Sequence, residues 1–386
     1  MSMNVRYATI HASYWSAYGA IWGFLALLLA SFGFTSAQTG VISSCATLLA
    51  VFLSPALSSF LDAHRSIENR HALLVLLGSA AVLSMLVWLL GGHKGVLTGV
   101  CFVLIGTLIS TAPPFQNAMA IDANRCGVPV VYGFCRGVGS ISYALAVLVL
   151  GVLLERCAPR MLLPVFSALT AFGLIATARF RLPHADGEAH TAEKSRPTLA
   201  IMREDRAFTL TLAGCMFFFA AHMFSNTYMN LIVGRVGGTA ADIGRCLALA
   251  AVLELPAMTL VSRLHGKLSA VLLLRVAAAG EVVKFLLYFF APSMAVIYLA
   301  QLMQFFQFAV YLPATVYYVA DTLPVRDQLK GQSLIHVAGS GLGAALGSFL
   351  GGVLIDRSGI QSALLFSVLC TFASLAAFCV SSRAKH

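Results

Sequence analysis

Glu254, Glu281 and Lys284 each stand inside a long apolar run of this 386-residue chain. A charge at the centre of a bilayer costs at least ~2.5–3.5 kcal/mol on insertion scales, so ionisable residues there mark function by default. Glu281 and Lys284 lie three residues apart on one helical face, and one reading has them neutralise each other as a structural pair. Glu254 has no opposite charge within two turns on its own helix, so its partner is to be sought in Arg136, Lys284, His222 or water. Proton coupling requires a carboxyl that can take and release a proton inside the membrane. Glu254 is therefore the first candidate proton carrier and Glu281 the second, with helix-packing glue as the bland alternative for both.

Neutral hydrogen-bonding groups cluster in the same runs. His222 is followed by Asn226, Tyr228 and Asn230, and reads either as a satisfied interhelical donor or as a substrate contact. Gln301, Gln304, Gln307 and Tyr311 fall within an arc of about 120° at 100° per residue, a polar stripe that should face a cavity. Side chains that both donate and accept suit a hydroxyl- or carbonyl-rich solute, so His222, Asn226, Gln304 and Gln307 are candidate substrate contacts, with the Lys284 ammonium a further candidate as a donor. The patterns of hydrolytic enzymes, His-Glu-x-x-His and Gly-x-Ser-x-Gly, do not occur. The nine cysteines contain no CxxC pair and read as small apolar packing residues. No enzyme, cofactor or metal is expected.

The elements holding these residues must be membrane spans. Hydrophobic residues make up 59%, charged residues 10%, and the mean hydropathy is +0.87, whereas a soluble domain carries about 25% charged residues. A helix crossing the ~30 Å hydrocarbon layer needs about 20 apolar residues. The sequence predicts twelve spans, near 12–31, 38–60, 71–91, 95–117, 131–154, 159–178, 208–233, 240–262, 269–290, 293–318, 330–355 and 359–381. The turns at Gly91–Gly95 and Ala291–Ser293 separate runs too long for one crossing. The first run has full span length and no small-residue cleavage site, so it should remain as the first helix.

Of the 25 Lys and Arg, Lys94, Arg156, Arg160, Arg235, Arg245 and Arg357 fall outside and Lys284 within a span; the rest fall on the cytoplasmic side if both termini do. The positive-inside rule supports that orientation in a cell inner membrane. It also accounts for the net charge of +10, and nucleic acid is not an expected partner, since the basic residues form no single face. The expected partners are the bilayer, protons and a small solute, bound by a monomer.

The polar stretch around Pro183–Pro197 divides the chain into an N-terminal bundle of six spans (1–178), a cytoplasmic linker (179–207) and a C-terminal bundle of six (208–386). The halves echo each other. Gly139-Ser140 and Gly151-Val-Leu-Leu-Glu155-Arg156 return as Gly339-Ser340 and Gly352-Val-Leu-Ile-Asp356-Arg357, and Thr35–Gly40 returns as Thr239–Gly244. Parallel repeats of six spans are an architecture for alternating access to a midplane site. Span eleven also carries Gly339, Gly343, Gly347 and Gly351 at four-residue spacing, a ladder for close helix approach.

The run Tyr132-Gly-Phe-Cys-Arg136-Gly-Val-Gly139-Ser140-Ile-Ser142-Tyr143 resembles the aromatic-Gly-x-x-Arg-x-x-Gly segment of the lactose permease-like branch of the major facilitator superfamily. The likeness extends to Gly19-Ala20, Thr39-Gly40, Ala112-Pro113, Glu254-Leu-Pro256 and Gln328–Gly359, nearly the whole chain. It implies an all-α membrane protein with the major facilitator fold, twelve transmembrane helices in two pseudo-symmetric bundles, and proton symport of an oligosaccharide, nucleoside or aromatic acid. By that resemblance Arg136 is the substrate-binding arginine, Tyr143 the aromatic that stacks on a sugar ring, and Ser140 the small residue beside the sugar. Gln116 stands where the permease has a substrate-binding carboxylate, and the coupling His and Glu expected around Gln304 and Phe308 are absent. Asp62, with Arg65 and Arg70, resembles the superfamily's cytoplasmic gating motif, without its glycines. A proton antiporter exporting drugs or metabolites shares this composition, but span five lacks the proline of such exporters. A non-transporting sensor or scaffold would need no coupling carboxylate.

Overall fold

The computed structural model describes residues 3–64, 67–91, 93–182, 197–264 and 267–383. These form helices joined by short turns. The helices are α1 (Met3–Trp22), α2 (Leu25–Ser31), α3 (Ser36–Ala63), α4 (Asn69–Leu89), α5 (Val96–Arg125), α6 (Tyr132–Leu153), α7 (Leu162–Ala178), α8 (Thr198–Glu204), α9 (Arg206–Thr227) and α10 (Met229–Gly234), followed by α11 (Ala240–Leu264), α12 (Ala270–Phe290), α13 (Met294–Leu302), α14 (Phe308–Thr322), α15 (Val325–His336), α16 (Ala344–Ser358) and α17 (Ile360–Arg383). Among the described residues ten helical segments are long and apolar enough to cross a membrane, and α1 with α2, bent by 52°, makes an eleventh. The 21-residue α12 is as long as the others but carries Arg275, Glu281 and Lys284.

Both doubtful turns separate helices. Gly91, at φ +63, ends the α4 segment as only a residue without a Cβ does comfortably, and α12 stops at Phe290 before Pro292. Span limits and helix limits differ elsewhere, because hydropathy marks hydrocarbon and a helix continues past it. The first helix starts at Met3 rather than 12, and α5 runs on to Arg125. The seventh expected span is interrupted at Tyr228 and the tenth at 303–307, while the eleventh starts at Val325 and contains π turns over Val337–Gly343.

By contact the chain falls into two units, Met1–Glu188 with Thr239–Ala251, and Ala189–Gly238 with Val252–His386. The first half of α11 thus groups with the N-terminal helices, a division different from a boundary at the linker; linker residues 183–196 lie outside the described residues. In the first unit α1 packs on α6 and α7, and α4 on α5 and α7. In the second, α9 packs on α16 and α17, and α12 on α14 and α17. This is the same pairing pattern twice, as a duplicated bundle requires.

The sequence echoes serve equal structural roles. Thr35 caps α3 through a reciprocal box, accepting from the Gln38 amide at 3.3 Å and donating its own N–H to the Gln38 side chain at 3.0 Å. At the start of α11 the Thr239 N–H and hydroxyl both donate to Asp242, at 2.9 and 3.3 Å. A methyl group on Gly139 would strike Trp15 of α1, and one on Gly339 would strike Phe219 of α9. Gly343 and Gly347 lie against the Met216 and Ala220 carbonyls, so the glycine ladder lets α9 approach backbone to backbone.

Candidate functional site

In the first unit the polar residues sit between α1, α5 and α6. Gly139 removes the side chain that would separate α6 from Trp15 and His11, and one turn earlier Arg136 extends over the indole, with its guanidinium carbon 4.1 Å from the ring centroid. Arg136 Nη1 donates to Ser140 Oγ at 2.7 Å, an i to i+4 bond along the same helix. A planar cation seated over an aromatic ring and bonded at one edge has its direction fixed. Tyr143, half-buried, packs its ring edge against Gly19. Gln116 is buried, at 1% exposure, and its backbone carbonyl accepts from the Tyr7 hydroxyl at 2.9 Å. Its side-chain nitrogen has no hydrogen-bond partner among the described residues.

Sequence reasoning passed over the aromatic column of α1. Tyr14, Trp15, Tyr18 and Trp22 follow one another with ring centroids 5.1 to 6.2 Å apart, and His11 extends it to Tyr7 at 4.7 Å. Their three- and four-residue spacing was visible, but aromatics in an apolar helix read first as core. Trp15 and Tyr18 are only half-buried, while the Tyr14 hydroxyl is tied to the Ile109 carbonyl at 2.9 Å.

The second unit holds a denser network. The tenth expected span breaks into α13, a 3₁₀ turn at Met303–Phe305 and α14, with Gln307 at φ −93, ψ −97 leading into α14. The break places Gln304 and Gln307 inside, at 3% and 0% exposure. Gln304 Oε1 accepts from Lys284 Nζ at 2.8 Å while its Nε2 donates to Glu254 Oε1 at 3.2 Å, so one neutral amide spans a cation and a carboxylate. Gln307 Nε2 lies 3.1 Å from Glu281 Oε1, to which it donates, and 3.2 Å from His222 Nδ1. Asn226 Nδ2 is 3.1 Å from His222 Nε2, and the imidazole stacks on Phe308 at 4.2 Å with an interplanar angle of 1°. Glu281 and Lys284, one turn apart, bond to different glutamines. Gln301 turns to the Met229 sulfur at 3.7 Å, and Tyr311 stacks on Phe218.

The structure thus gathers His222, Asn226, Gln307 and Glu281 into one chain of contacts, and Glu254, Gln304 and Lys284 into another; Arg136 and Ser140 form a pair in the first unit. Of the gating residues, Asp62 is exposed in the last turn of α3, Arg70 pairs with Glu68 at 2.7 Å, and Arg65 lies outside the described residues. The adjacent Asn69 donates to Asp122 at 2.8 Å.

Residues 5–366 match the model of the MFS_1 like family. The chain is 29% identical over 358 residues to the maltose permease of Geobacillus stearothermophilus, covering 92% of this chain and 88% of that protein. Among solved structures, the nucleoside transporter NupG superposes with a TM-score of 0.83 at 14% identity, covering 100% of this chain and 99% of the other. An inward-facing bacterial homolog of the human lysosomal transporter Spinster superposes at 0.72 and 14% identity, covering 99% and 96%.

Proposed function

We propose, from the premise that this chain belongs to the MFS_1-like family and is a multi-pass membrane transporter of the major facilitator superfamily, that it imports a small hydroxyl-bearing solute together with protons. The observation that carries this is the Glu254–Gln304–Lys284 chain, in which a carboxylate and an ammonium are held inside a membrane bundle by one amide. An intervening amide leaves the carboxylate able to change its proton without losing its hydrogen bond, since Nε2 donates equally to a carboxylate or to the carbonyl of the acid.

The substrate class is read from the side chains that each unit offers by itself. In the first, Arg136 lies over Trp15 beside Ser140; in the second, the glutamines and Asn226 are amides that donate and accept. Sugars and nucleosides, with hydroxyls and a flat or weakly polar ring face, suit side chains of these kinds. The relative named as a maltose permease favours a sugar. The chain works as a monomer in the cell inner membrane with both termini cytoplasmic; counting α12 as a span gives the twelve crossings of the fold.

Reconstituted vesicles test this directly. With an imposed pH gradient, acid outside, radiolabelled maltose or uridine should accumulate above its external concentration, and a protonophore should abolish the accumulation. Uptake of any of these sugars, nucleosides or aromatic acids that only equilibrates, whatever the gradient, would remove the coupling from this reading.

A further inference from the structure

His222 sits between two amide groups, and hydrogen-bond arithmetic does not let both face it as donors. A neutral imidazole has one N–H and one lone pair. Gln307 Nε2 faces Nδ1 at 3.2 Å and Asn226 Nδ2 faces Nε2 at 3.1 Å, so one amide must turn its carbonyl to the ring. The same Gln307 nitrogen also faces Glu281 Oε1 at 3.1 Å. Both Gln307 Oε1 and Glu281 Oε2 are buried without a hydrogen-bond partner among the described residues.

With a neutral ring, and with any acid proton on Glu281 meeting an acceptor, two assignments satisfy all contacts; a proton on Oε2 would be buried without a partner among the described residues. In the first, Glu281 is a carboxylate. Gln307 donates one N–H to it and the other to Nδ1, the ring proton is on Nε2, and Asn226 presents its carbonyl. In the second, Glu281 is protonated. Gln307 presents its carbonyl to the acid O–H and to Nδ1–H, and Asn226 donates to the bare Nε2. A histidinium fits only where Glu281 is protonated and both amides present carbonyls, an arrangement that sets a second cation facing Lys284. The two assignments differ by one proton, gained by Glu281 from water. The ring keeps one proton throughout: as the two amides turn over, the Nε2 proton leaves to water and one arrives at Nδ1 from water.

We propose that Gln307 and His222 form a relay by which the proton on Glu281 sets whether Asn226 offers a carbonyl or an N–H. Asn226 is half-buried on α9 and its side chain belongs to the candidate solute contacts, so the relay turns a protonation in α12 into a change of hydrogen-bond polarity toward the solute. It deepens the proton-coupled reading above and rests on it for its use in transport. The geometry favours switching over static packing: the relay crosses α9, α12 and the break before α14, its members His222, Glu281 and Gln307 are 5%, 0% and 0% exposed, and the Phe308 ring holds the imidazole plane. Other ionisable groups surround it. Glu281 faces Lys284 on its own helix, Tyr311 of α14, which lies beside Cys215 of α9, and Cys370 of α17. His222 faces Lys284 and the rings of Phe218 and Phe219.

The tautomer of His222 is measurable on the purified full chain in lipid nanodiscs, by ¹⁵N-histidine NMR with the His222→Asn spectrum subtracted. The protonated-carboxyl stretch of Glu281, identified by its loss in Glu281→Gln, is followed by infrared spectroscopy in the same titration. As pH falls, the ring should pass from the Nε2–H to the Nδ1–H pattern over the interval in which the Glu281 band grows. In Glu281→Gln, which carries no titrating proton, the ring should keep one tautomer at every pH. In Gln307→Leu, or in Gln307→Asn, whose shorter amide does not span both partners, the band should still titrate while the ring pattern loses its response. A native ring that keeps one tautomer across the Glu281 titration overturns the relay. So does one that becomes doubly protonated, or one that follows Glu281 equally well without Gln307. Gradient-independent uptake with an intact tautomer response would remove the symport reading alone, and a fixed tautomer with gradient-driven uptake would remove the relay alone.

Discussion

Arg136 keeps its charge at any physiological pH, so its contribution to a binding site lies in where the guanidinium points. The Trp15 face and Ser140 Oγ fix that direction. A cation over an indole is worth about 0.5 to 2 kcal/mol depending on desolvation. Trp15→Ala should therefore weaken solute binding by about 2- to 30-fold, with Trp15→Phe intermediate, while Arg136→Lys, lacking the planar fork, should lose most of the affinity although the charge is kept. Isothermal titration of the purified variants checks this, with unchanged melting temperature showing that the fold is intact. Glu254→Gln supplies the second residue-scale expectation. The amide still accepts from Gln304 but carries no proton, so counterflow exchange should persist while uphill accumulation is lost. Arg136, Glu254 and the glutamines were legible because each violates the apolar rule of its span. Trp15 and His11 were not, because an aromatic side chain violates nothing in a membrane helix and becomes informative only when its neighbour across the helix pair is known.

Among the elements, the spans themselves were readable because hydrocarbon demands long apolar helices, and the turns were readable from Gly91 and Pro292. The interruptions were not. Nothing in Met303–Gln307 contains a helix breaker; the break arises where three glutamine amides seek partners on neighbouring helices, a tertiary demand that outweighs local propensity. The glycine ladder is the converse case, where spacing alone foretold close packing. A methyl on Gly347 would land on the Ala220 carbonyl, so Gly347→Val must push α9 away. Overpacking of this kind costs about 1–3 kcal/mol or more, and detergent melting should show a marked drop. Gly133→Ala and Gly137→Ala on α6 meet nothing within 4 Å. Both should leave the melting point level or raise it, since alanine is favoured over glycine in a helix by about 0.8–1.0 kcal/mol.

For the whole molecule, direction matters more than strength: a proton-coupled importer is defined by which ends of its helices meet the cytoplasm. Lys and Arg decide this, because a basic loop is held on the cytoplasmic side during insertion while Asp and Glu contribute little. The chain ends α5 on Arg125, places Arg179 and Arg181 after α7, and leaves Arg156 and Arg160 after α6, where Arg160 is occupied in donating to the Ser31 carbonyl at 3.0 Å and lying over Phe32. An arginine so engaged is a structural clamp on its loop, and in the proposed orientation its place outside costs the signal little. Two native cysteines report the result. Cys157 is exposed in the turn after α6 and Cys126 is half-buried in the turn after α5. In a chain retaining only Cys157, a membrane-impermeant maleimide should label intact cells. In one retaining only Cys126, labelling should require inverted vesicles. The reverse pattern would place both termini outside, and the proton chemistry of Glu254 and Glu281 would then have to run from the opposite compartment.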